Sequence, residues 1–322
     1  MRTPVCLVIP PSPFLLDERV FVSLGILKVA AVLERSGIDV EVLDLSGVKN
    51  YAEVVRSHFA RTEARTIGIT ATTPQFPAAV EIAGLARESA PGARRVLGGP
   101  HGTLTLAALK REAKRGTYGR AFRVMRAIRE AFNVVVAGDG EAAIFQAIHP
   151  LCGPVVDADD PAGELFMDHA AYDASPWPAR HLVDLESYRY TIDGERATSL
   201  IGQLGCPFAC GFCGGRNSPS LRRIRMRSSE NIIREMEFLH RTYGFTGYMC
   251  YDDATEILTR KRGYVYFKDL LPEDEVACLD PATNMLGYEV PRHIIDKTFS
   301  GELVIFKGKS FDLAVTPEHQ MW

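Results

Sequence analysis

The chain has 322 residues, 46% of them hydrophobic and 24% charged, with a formal net charge of −3. That length accommodates two or three domains with their own cores, the composition excludes a disordered chain, and the small negative charge gives no reason to expect nucleic acid as a partner. Apolar runs break well before the roughly 20 residues that a membrane span needs. The N-terminus Met1-Arg2-Thr3-Pro4 leads straight into a strand-like stretch without a signal-peptide pattern. The 7 cysteines, an odd number with three clustered, read as metal ligands and isolated thiols in a reducing compartment, so a cytoplasmic location is expected.

From the N-terminus the signals alternate: a strand Val5–Ile9, a loop with Pro10-Pro11-Ser12-Pro13, a helix Ser23–Ser36, a strand Val40–Leu43 and a helix Tyr51–Ala60. A strand Thr66–Thr70, a helix Ala78–Glu88 and a strand Arg95–Leu97 follow, the last closing on Gly98-Gly99-Pro100-His101. This βαβα order predicts an α/β fold with a doubly wound parallel sheet, whose ligands lie at the carboxyl ends of the strands. Those ends carry Pro11 and Ser12, then Thr70, Thr72 and Thr73, then Gly98, Gly99 and Pro100, small or hydroxyl-bearing residues that let a flat, bulky ligand approach the backbone. The basic stretch Leu104–Phe132, broken at Gly116 and Gly119, reads as two helices with a solvated face; without interleaved aromatics a nucleic-acid surface is the weaker alternative. A strand Asn133–Ala137, the turn Gly138-Asp139-Gly140-Glu141 and a helix Ala142–Ile148 close this part. Glu141 suits a helix N-terminus for electrostatic reasons alone. Residues 149–196 have the Pro, Gly and Asp density of a linker.

A strand Ala197–Gly202 then leads into Cys206-Pro207-Phe208-Ala209-Cys210-Gly211-Phe212-Cys213. Three thiols this close can hold three irons of a cubane cluster and leave the fourth iron open to an outside ligand, whereas a zinc site usually pairs CxxC with a second pair or with histidines. Arg222, Arg223, Arg225 and Arg227 follow, readable as anion ligands or as charges exposed to water. A helix capped by Ser228 or Ser229 buries Ile232, Ile233, Met236 and Leu239, and a second strand is expected at Gly247-Tyr248-Met249. Beyond Cys250 only short β runs appear: Glu256–Thr259, Tyr264–Phe267, Glu275–Leu279, Gly287–Val290, Leu303–Phe306 and Asp312–Val315. Strands without helices between them cannot continue a parallel barrel, so an all-β module is expected there.

The CxxxCxxC spacing, with an aromatic before its last cysteine, resembles the radical SAM family, and a doubly wound domain ahead of it resembles the cobalamin-binding domain of its B12-dependent members. The turn Gly138–Glu141 is similar to the Gly-Glu-Gly-Glu turn of that family, with Asp139 as a departure. The resemblance implies residues 1–148 as a Rossmann-like cobalamin-binding domain, 149–196 as linker and 197–249 as the start of a radical SAM β/α barrel. It also implies a [4Fe–4S] cluster on Cys206, Cys210 and Cys213, S-adenosylmethionine on the open iron, and cobalamin against Pro11, Ser12, Thr70, Thr72, Thr73, Gly98, Gly99, Pro100, Gly138 and Glu141. The Asp-x-His-x-x-Gly signature that gives cobalt a histidine is missing, so His101 is not expected to ligate cobalt; a plain nucleotide-binding Rossmann domain is the alternative.

Cys250 with Thr255 and Ile257, followed by Thr316-Pro317-Glu318-His319, resembles the N-terminal part of an intein of the Hint type, with Ala254 where an Asp is usual. That resemblance makes residues 250–322 a self-processing module. Cys250 is then the nucleophile on the Met249 carbonyl, His319 the proton donor to the departing nitrogen, and Thr316 a residue that polarises the bond. The chain is therefore expected to be an incomplete precursor of a B12-dependent radical SAM enzyme, inactive until the intein is removed and the barrel completed, with methyl transfer as the expected reaction type. Its expected partners are an electron donor, a small-molecule or unknown substrate and a C-terminal intein fragment in trans, with no membrane. The competing readings are a cobalamin or iron–sulfur sensor without radical chemistry, and an autoprocessing module with passenger domains.

Overall fold

A computed structural model describes residues 4–192, 194–206, 213–247, 256–266, 270–280, 285–291, 304–307 and 312–315. The chain divides into two units, Met1–Tyr188 with Gln203–Arg225, and Arg189–Gly202 with Met226–Trp322. Among the described residues no helix is long and apolar enough to cross a membrane.

The first unit is built on a six-stranded sheet of β1 (Val5–Ile9), β2 (Val40–Asp44), β3 (Thr66–Thr70), β4 (Arg94–Gly98), β5 (Val134–Gly138) and β6 (Val155–Ala158), in the order β2-β1-β3-β4-β5-β6. All of its pairings are parallel. The helices are α1 (Leu24–Arg35), α2 (Tyr51–Phe59), α3 (Phe76–Ser89), α4 (Pro100–Lys114), α5 (Arg120–Ala131), α6 (Gly140–Ala147) and the short α7 (His169–Asp173). Strands buried on both faces read as unbroken apolar runs, and β1, Val-Cys-Leu-Val-Ile, is buried at all five positions. Side chains of β5 alternate between two cores. Val134 and Val136 pack with Ala143 and Ala147 of α6, whereas Val135 and Ala137 join the larger cluster with Ile67, Ile69, Ile82, Leu97, Met125 and Ile128. The strand order changes direction between β1 and β3, which opens a crevice at the carboxyl ends of those two strands.

The basic helices are shaped by one acid. Glu112 of α4 accepts the backbone N–H groups of Gly119, Ala121 and Phe122 at 2.9, 2.9 and 3.0 Å, so it satisfies the otherwise orphaned donors at the start of α5. The Ala121 N–H leads the donors that hold its carboxyl below the usual range. In α5 the residues Ala121, Met125 and Ile128, at i, i+4 and i+7, face the core, and Arg123, Arg126 and Arg129 face water, as the charge pattern implies.

The segment expected as a linker is more structured than its composition suggests. Val155–Ala158 adds the sixth strand beside β5, and Lys110 of α4 holds Asp157 at 2.5 Å. The next stretch straps back over the unit: Tyr172 of α7 is fully buried beneath the Lys28 ammonium, 4.9 Å from its ring. At the end of β2, Asp44 takes the Arg19 guanidinium at 2.6 Å and the Tyr188 hydroxyl at 2.7 Å. Burial, then the Asp44 charge, pushes the Tyr188 hydroxyl well above its ordinary pKa.

In the second unit a short hairpin pairs Thr191–Ile192 with Glu195–Arg196, and Ala197 forms a parallel bridge with Gly247. Between the bridge partners runs α8 (Ser229–Tyr243), whose N-cap Ser228 accepts the Asn231 N–H and whose C-cap is Gly244. The arrangement is one parallel βαβ step. Of the expected strand Ala197–Gly202, Ala197 carries the bridge, and at its far end the Gly202 carbonyl accepts the Arg227 backbone N–H at 2.8 Å and the Ile201 carbonyl the Arg227 guanidinium at 3.2 Å; the expected partners Tyr248 and Met249 lie outside the described residues. Leu239 is the one fully buried member of the expected apolar face of α8; Asn231 and Glu235 are buried beside it, where both bind Arg227 at 2.8 and 2.5 Å. Farther on, four antiparallel strands, Gly263–Tyr266, Glu256–Thr259, Val276–Asp280 and Met285–Glu289, form a sheet in that order. Val304–Lys307 and Asp312–Val315 pair as a separate hairpin. The helix-free β character expected beyond Cys250 is therefore present among the described residues.

Candidate cofactor-binding site

The residues proposed to hold a flat ligand share one edge of the sheet. Pro11 and Ser12 follow β1, Thr70 ends β3 ahead of Thr72 and Thr73, Gly98 ends β4 ahead of Gly99 and Pro100, and Gly138 ends β5, with Glu141 in the first turn of α6. Gln75, which carries no pattern signal in the sequence, ties the two strands that flank the crevice. Its Nε2 donates to Pro10 O at 2.8 Å, and its Oε1 accepts from the Thr72 hydroxyl at 2.9 Å and the Thr72 N–H at 3.1 Å. Gly99 has φ +84°, and a Cβ there would lie 2.5 Å from Thr70 Oγ1 and 2.9 Å from Ala71 N. Only glycine lets the β4 loop fold this close to the β3 loop. Ser12 donates its N–H to Glu18 Oε2 at 2.5 Å. Beyond it the loop turns Phe14, Leu15 and Leu16 out to solvent, 78%, 54% and 109% exposed.

His101 sits inside this edge rather than on it. It is 7% exposed, stacks on Phe76 with ring centroids 4.1 Å apart, and places Nδ1 3.2 Å from Thr73 Oγ1. Its Nε2 is buried without a hydrogen-bond partner, and burial lowers the pKa of the ring, which favours the neutral form.

The flanks of the cysteine loop are anchored on the same unit. Cys206 donates its N–H to Leu221 O at 2.9 Å, and Gly205 before it has φ +83° with Arg223 O only 1.9 Å from where a Cβ would stand, so no other residue fits. After the exposed Cys213, Gly214 lies against Leu104 of α4, and Arg111 of α4 donates to Asn217 Oδ1 at 2.9 Å. Cys210 lies outside the described residues, as do Met249, Cys250, Thr316 and His319.

Two buried carboxylates fix this segment to the sheet. Asp159, just after β6, accepts the Ser218 hydroxyl, the Ser220 hydroxyl at 2.5 Å and the Ser220 N–H at 3.1 Å. Asp139, at the end of β5, is paired with the Arg225 guanidinium and accepts the Met167 N–H at 2.9 Å. Arg225 also donates to Met167 O at 3.1 Å and lies 4.7 Å from the centre of the Phe166 ring. Burial pushes the Asp139 carboxyl up, and the Arg225 charge pulls against that shift. Glu141 is likewise pushed up by burial, with Lys28 opposing. Arg225 and Arg227, 2% and 6% exposed, are thus structural partners of Asp139 and Glu235 and neither free anion ligands nor a water-facing charge cluster.

The geometry fits the groups that the sequence implies. Close-folded small residues and an apolar loop at the switch point leave the backbone open to a broad ligand, and a histidine wedged behind the edge is not presented to a metal above it. Cys206 and Cys213 flank a loop held on both sides, and thiolates are the donors that iron–sulfur clusters take.

Residues 18–132 match the B12 binding domain family model. An uncharacterized methyltransferase of Pyrococcus horikoshii is 26% identical over 281 residues, 80% of this chain and 55% of the relative. The anaerobic magnesium-protoporphyrin IX monomethyl ester cyclase of Cereibacter sphaeroides is 25% identical over 225 residues, 64% of this chain and 32% of the relative. The chain thus spans about half or less of the curated relatives it matches. Among solved structures, the radical S-adenosylmethionine methyltransferase TsrM of Kitasatospora setae superposes with a TM-score of 0.50 at 20% identity, covering 74% of this chain and 45% of that one. The cobalamin-dependent S-adenosylmethionine radical enzyme OxsB gives 0.52 at 14% identity, covering 74% and 32%. Residues 18–132 therefore match the B12 binding domain family, and about three quarters of the chain is similar in fold to two S-adenosylmethionine radical enzymes.

Proposed function

We propose that this chain is part of a B12-dependent radical SAM enzyme, with methyl transfer as its reaction type. The observation that carries the reading is the B12 binding domain match over residues 18–132, on the sheet whose α4 also anchors the flank of the cysteine loop. In this reading Pro11, Ser12, Thr70, Thr72, Thr73, Gly98, Gly99, Pro100, Gly138 and Glu141 would hold cobalamin, with Phe14, Leu15 and Leu16 as apolar cover. Cys206, Cys210 and Cys213 would hold a [4Fe–4S] cluster that binds S-adenosylmethionine. Bound together, these groups supply one-electron cleavage of the sulfonium and a cobalt-borne methyl group. The protein's share is to hold them, with an electron donor and an unidentified substrate as partners and the reducing cytoplasm as location. The test is binding of S-adenosylmethionine by the anaerobically reconstituted, dithionite-reduced chain, which does not require a completed barrel. A change in the electron paramagnetic resonance spectrum of the reduced cluster on adding S-adenosylmethionine is expected; a cluster-loaded chain whose spectrum does not respond contradicts the reading.

We propose further that residues 250–322 are the N-terminal part of an intein, acting through Cys250, Thr316 and His319 and completed by a C-terminal fragment in trans. The change from an α/β pattern to antiparallel strands beyond Gly247 supports a separate module. Hydroxylamine should release a fragment ending at Met249 from the parent chain and not from Cys250→Ala. The same fragment from both would mean ordinary proteolysis.

A further inference from the structure

Three donors of different chemistry meet where α2 covers the β1–β2 edge. Cys6 and Glu41 are the second residues of β1 and β2 and face each other in register, and His58 belongs to the last turn of α2. Cys6 Sγ lies 3.7 Å from His58 Nε2, His58 Nε2 lies 3.2 Å from Glu41 Oε1, and the three ligand atoms all fall within 4.8 Å of one another.

The 3.7 and 3.2 Å separations match two edges of a small tetrahedron. With zinc bonds of about 2.3 Å to sulfur and about 2.0–2.1 Å to nitrogen and oxygen, tetrahedral angles put sulfur and nitrogen about 3.5 Å apart and nitrogen and oxygen about 3.3 Å apart. A charge-assisted hydrogen bond between imidazolium and carboxylate would be shorter, about 2.7–2.9 Å. Glu41 is also oriented from outside the trio, because the Thr62 hydroxyl donates to its Oε1 at 2.6 Å, the kind of outer contact that positions a carboxylate ligand. Cys6 is fully buried, while the His58 and Glu41 side chains are 29% and 43% exposed, so a cation held by the three would keep its fourth position toward water.

We propose that Cys6, Glu41 and His58 form a divalent transition-metal site with water as fourth ligand, which clips α2 to the β1–β2 edge. One thiolate, one imidazole and one carboxylate favour zinc over the hard cations magnesium and calcium. The site lies at the second residues of the strands, toward the sheet edge opposite the strand-end loops, so it stands or falls independently of cobalamin and cluster binding.

The test uses the full chain with Cys206, Cys210 and Cys213 replaced by serine, so that the cluster cysteines cannot take up the probe, and cobalt(II) as the probe under anaerobic conditions. The expected result is one cobalt per chain, with a thiolate-to-cobalt charge-transfer band in the near ultraviolet and the intense visible bands of four-coordinate cobalt, all displaced by zinc. His58→Gln, at a partly exposed position, should keep the fold by circular dichroism and weaken cobalt binding more than tenfold; Thr62→Val should weaken it less. Cys6→Ala should abolish the charge-transfer band, and if that buried substitution impairs folding, His58→Gln decides alone. No charge-transfer band at stoichiometric cobalt, or a band that persists in His58→Gln, overturns the site and leaves a neutral thiol packed beside an ordinary His–Glu pair.

Discussion

The chain with serine at Cys206, Cys210 and Cys213 should take up no cubane iron on anaerobic reconstitution, whereas the parent chain should take up about four irons and four sulfides. A serine hydroxyl is a harder and far less acidic donor than a thiol, and a cluster that already lacks a fourth protein ligand has none to spare. The expected loss is complete. Mössbauer spectra and iron analysis check it, with the parent chain showing a diamagnetic doublet that the variant lacks. A parent chain that fills with zinc and never with iron would return Cys206, Cys210 and Cys213 to a zinc reading.

Arg225→Met should cost about 3–5 kcal/mol in urea unfolding, because it leaves the Asp139 carboxylate buried without its partner. Adding Asp139→Asn should restore most of the loss, since an apolar side chain beside a neutral amide carries no uncompensated charge. The pH dependence separates this account from a simple packing defect. Burial raises the Asp139 pKa even with Arg225 present, and removing the guanidinium raises it further. A carboxyl whose folded pKa lies above its unfolded value contributes stability below the unfolded pKa and loses it as pH rises through the folded one. The deficit of Arg225→Met should therefore grow as pH rises through the carboxylate range, shrink below it, and lose that pH dependence in the double variant. A deficit that is flat with pH would mean that the loss comes from the packing of Arg225 on Phe166.

The parallel sheet was legible because its strands are short apolar runs bounded by Gly and Pro. Val5–Ile9 and Thr66–Thr70 appear in the structure with the expected bounds, and the break at Gly116 and Gly119 separates α4 from α5. The sixth strand was hidden because Val155–Ala158 is four residues long and lies among prolines and acids that signal a loop. Its partner β5 stabilises it, and that information is non-local. The strand-end residues could be named from topology alone, since chain order fixes which edge they share. Gln75, the Asp139–Arg225 pair and the Asp159–Ser218–Ser220 anchor could not, because each joins residues 59 to 86 positions apart or carries no periodic signal. The same holds for the Cys6–Glu41–His58 trio. In the sequence Cys6 is one of the isolated thiols, and only strand register and the position of α2 bring the other two donors to it.

Titration with hydroxocobalamin, followed by visible spectroscopy and calorimetry, tests the central claim most directly. The account predicts one cobalamin per chain at micromolar ligand. The spectrum should be the same for the parent and for His101→Gln, because His101 is wedged between Phe76 and Thr73 behind the strand-end loops. A bulky side chain at the loop junction, Gly99→Leu, should abolish binding, with circular dichroism reporting that the chain still folds. No binding by the parent chain at micromolar cobalamin, or a spectrum that changes with His101→Gln as it would on loss of a cobalt ligand, would contradict it.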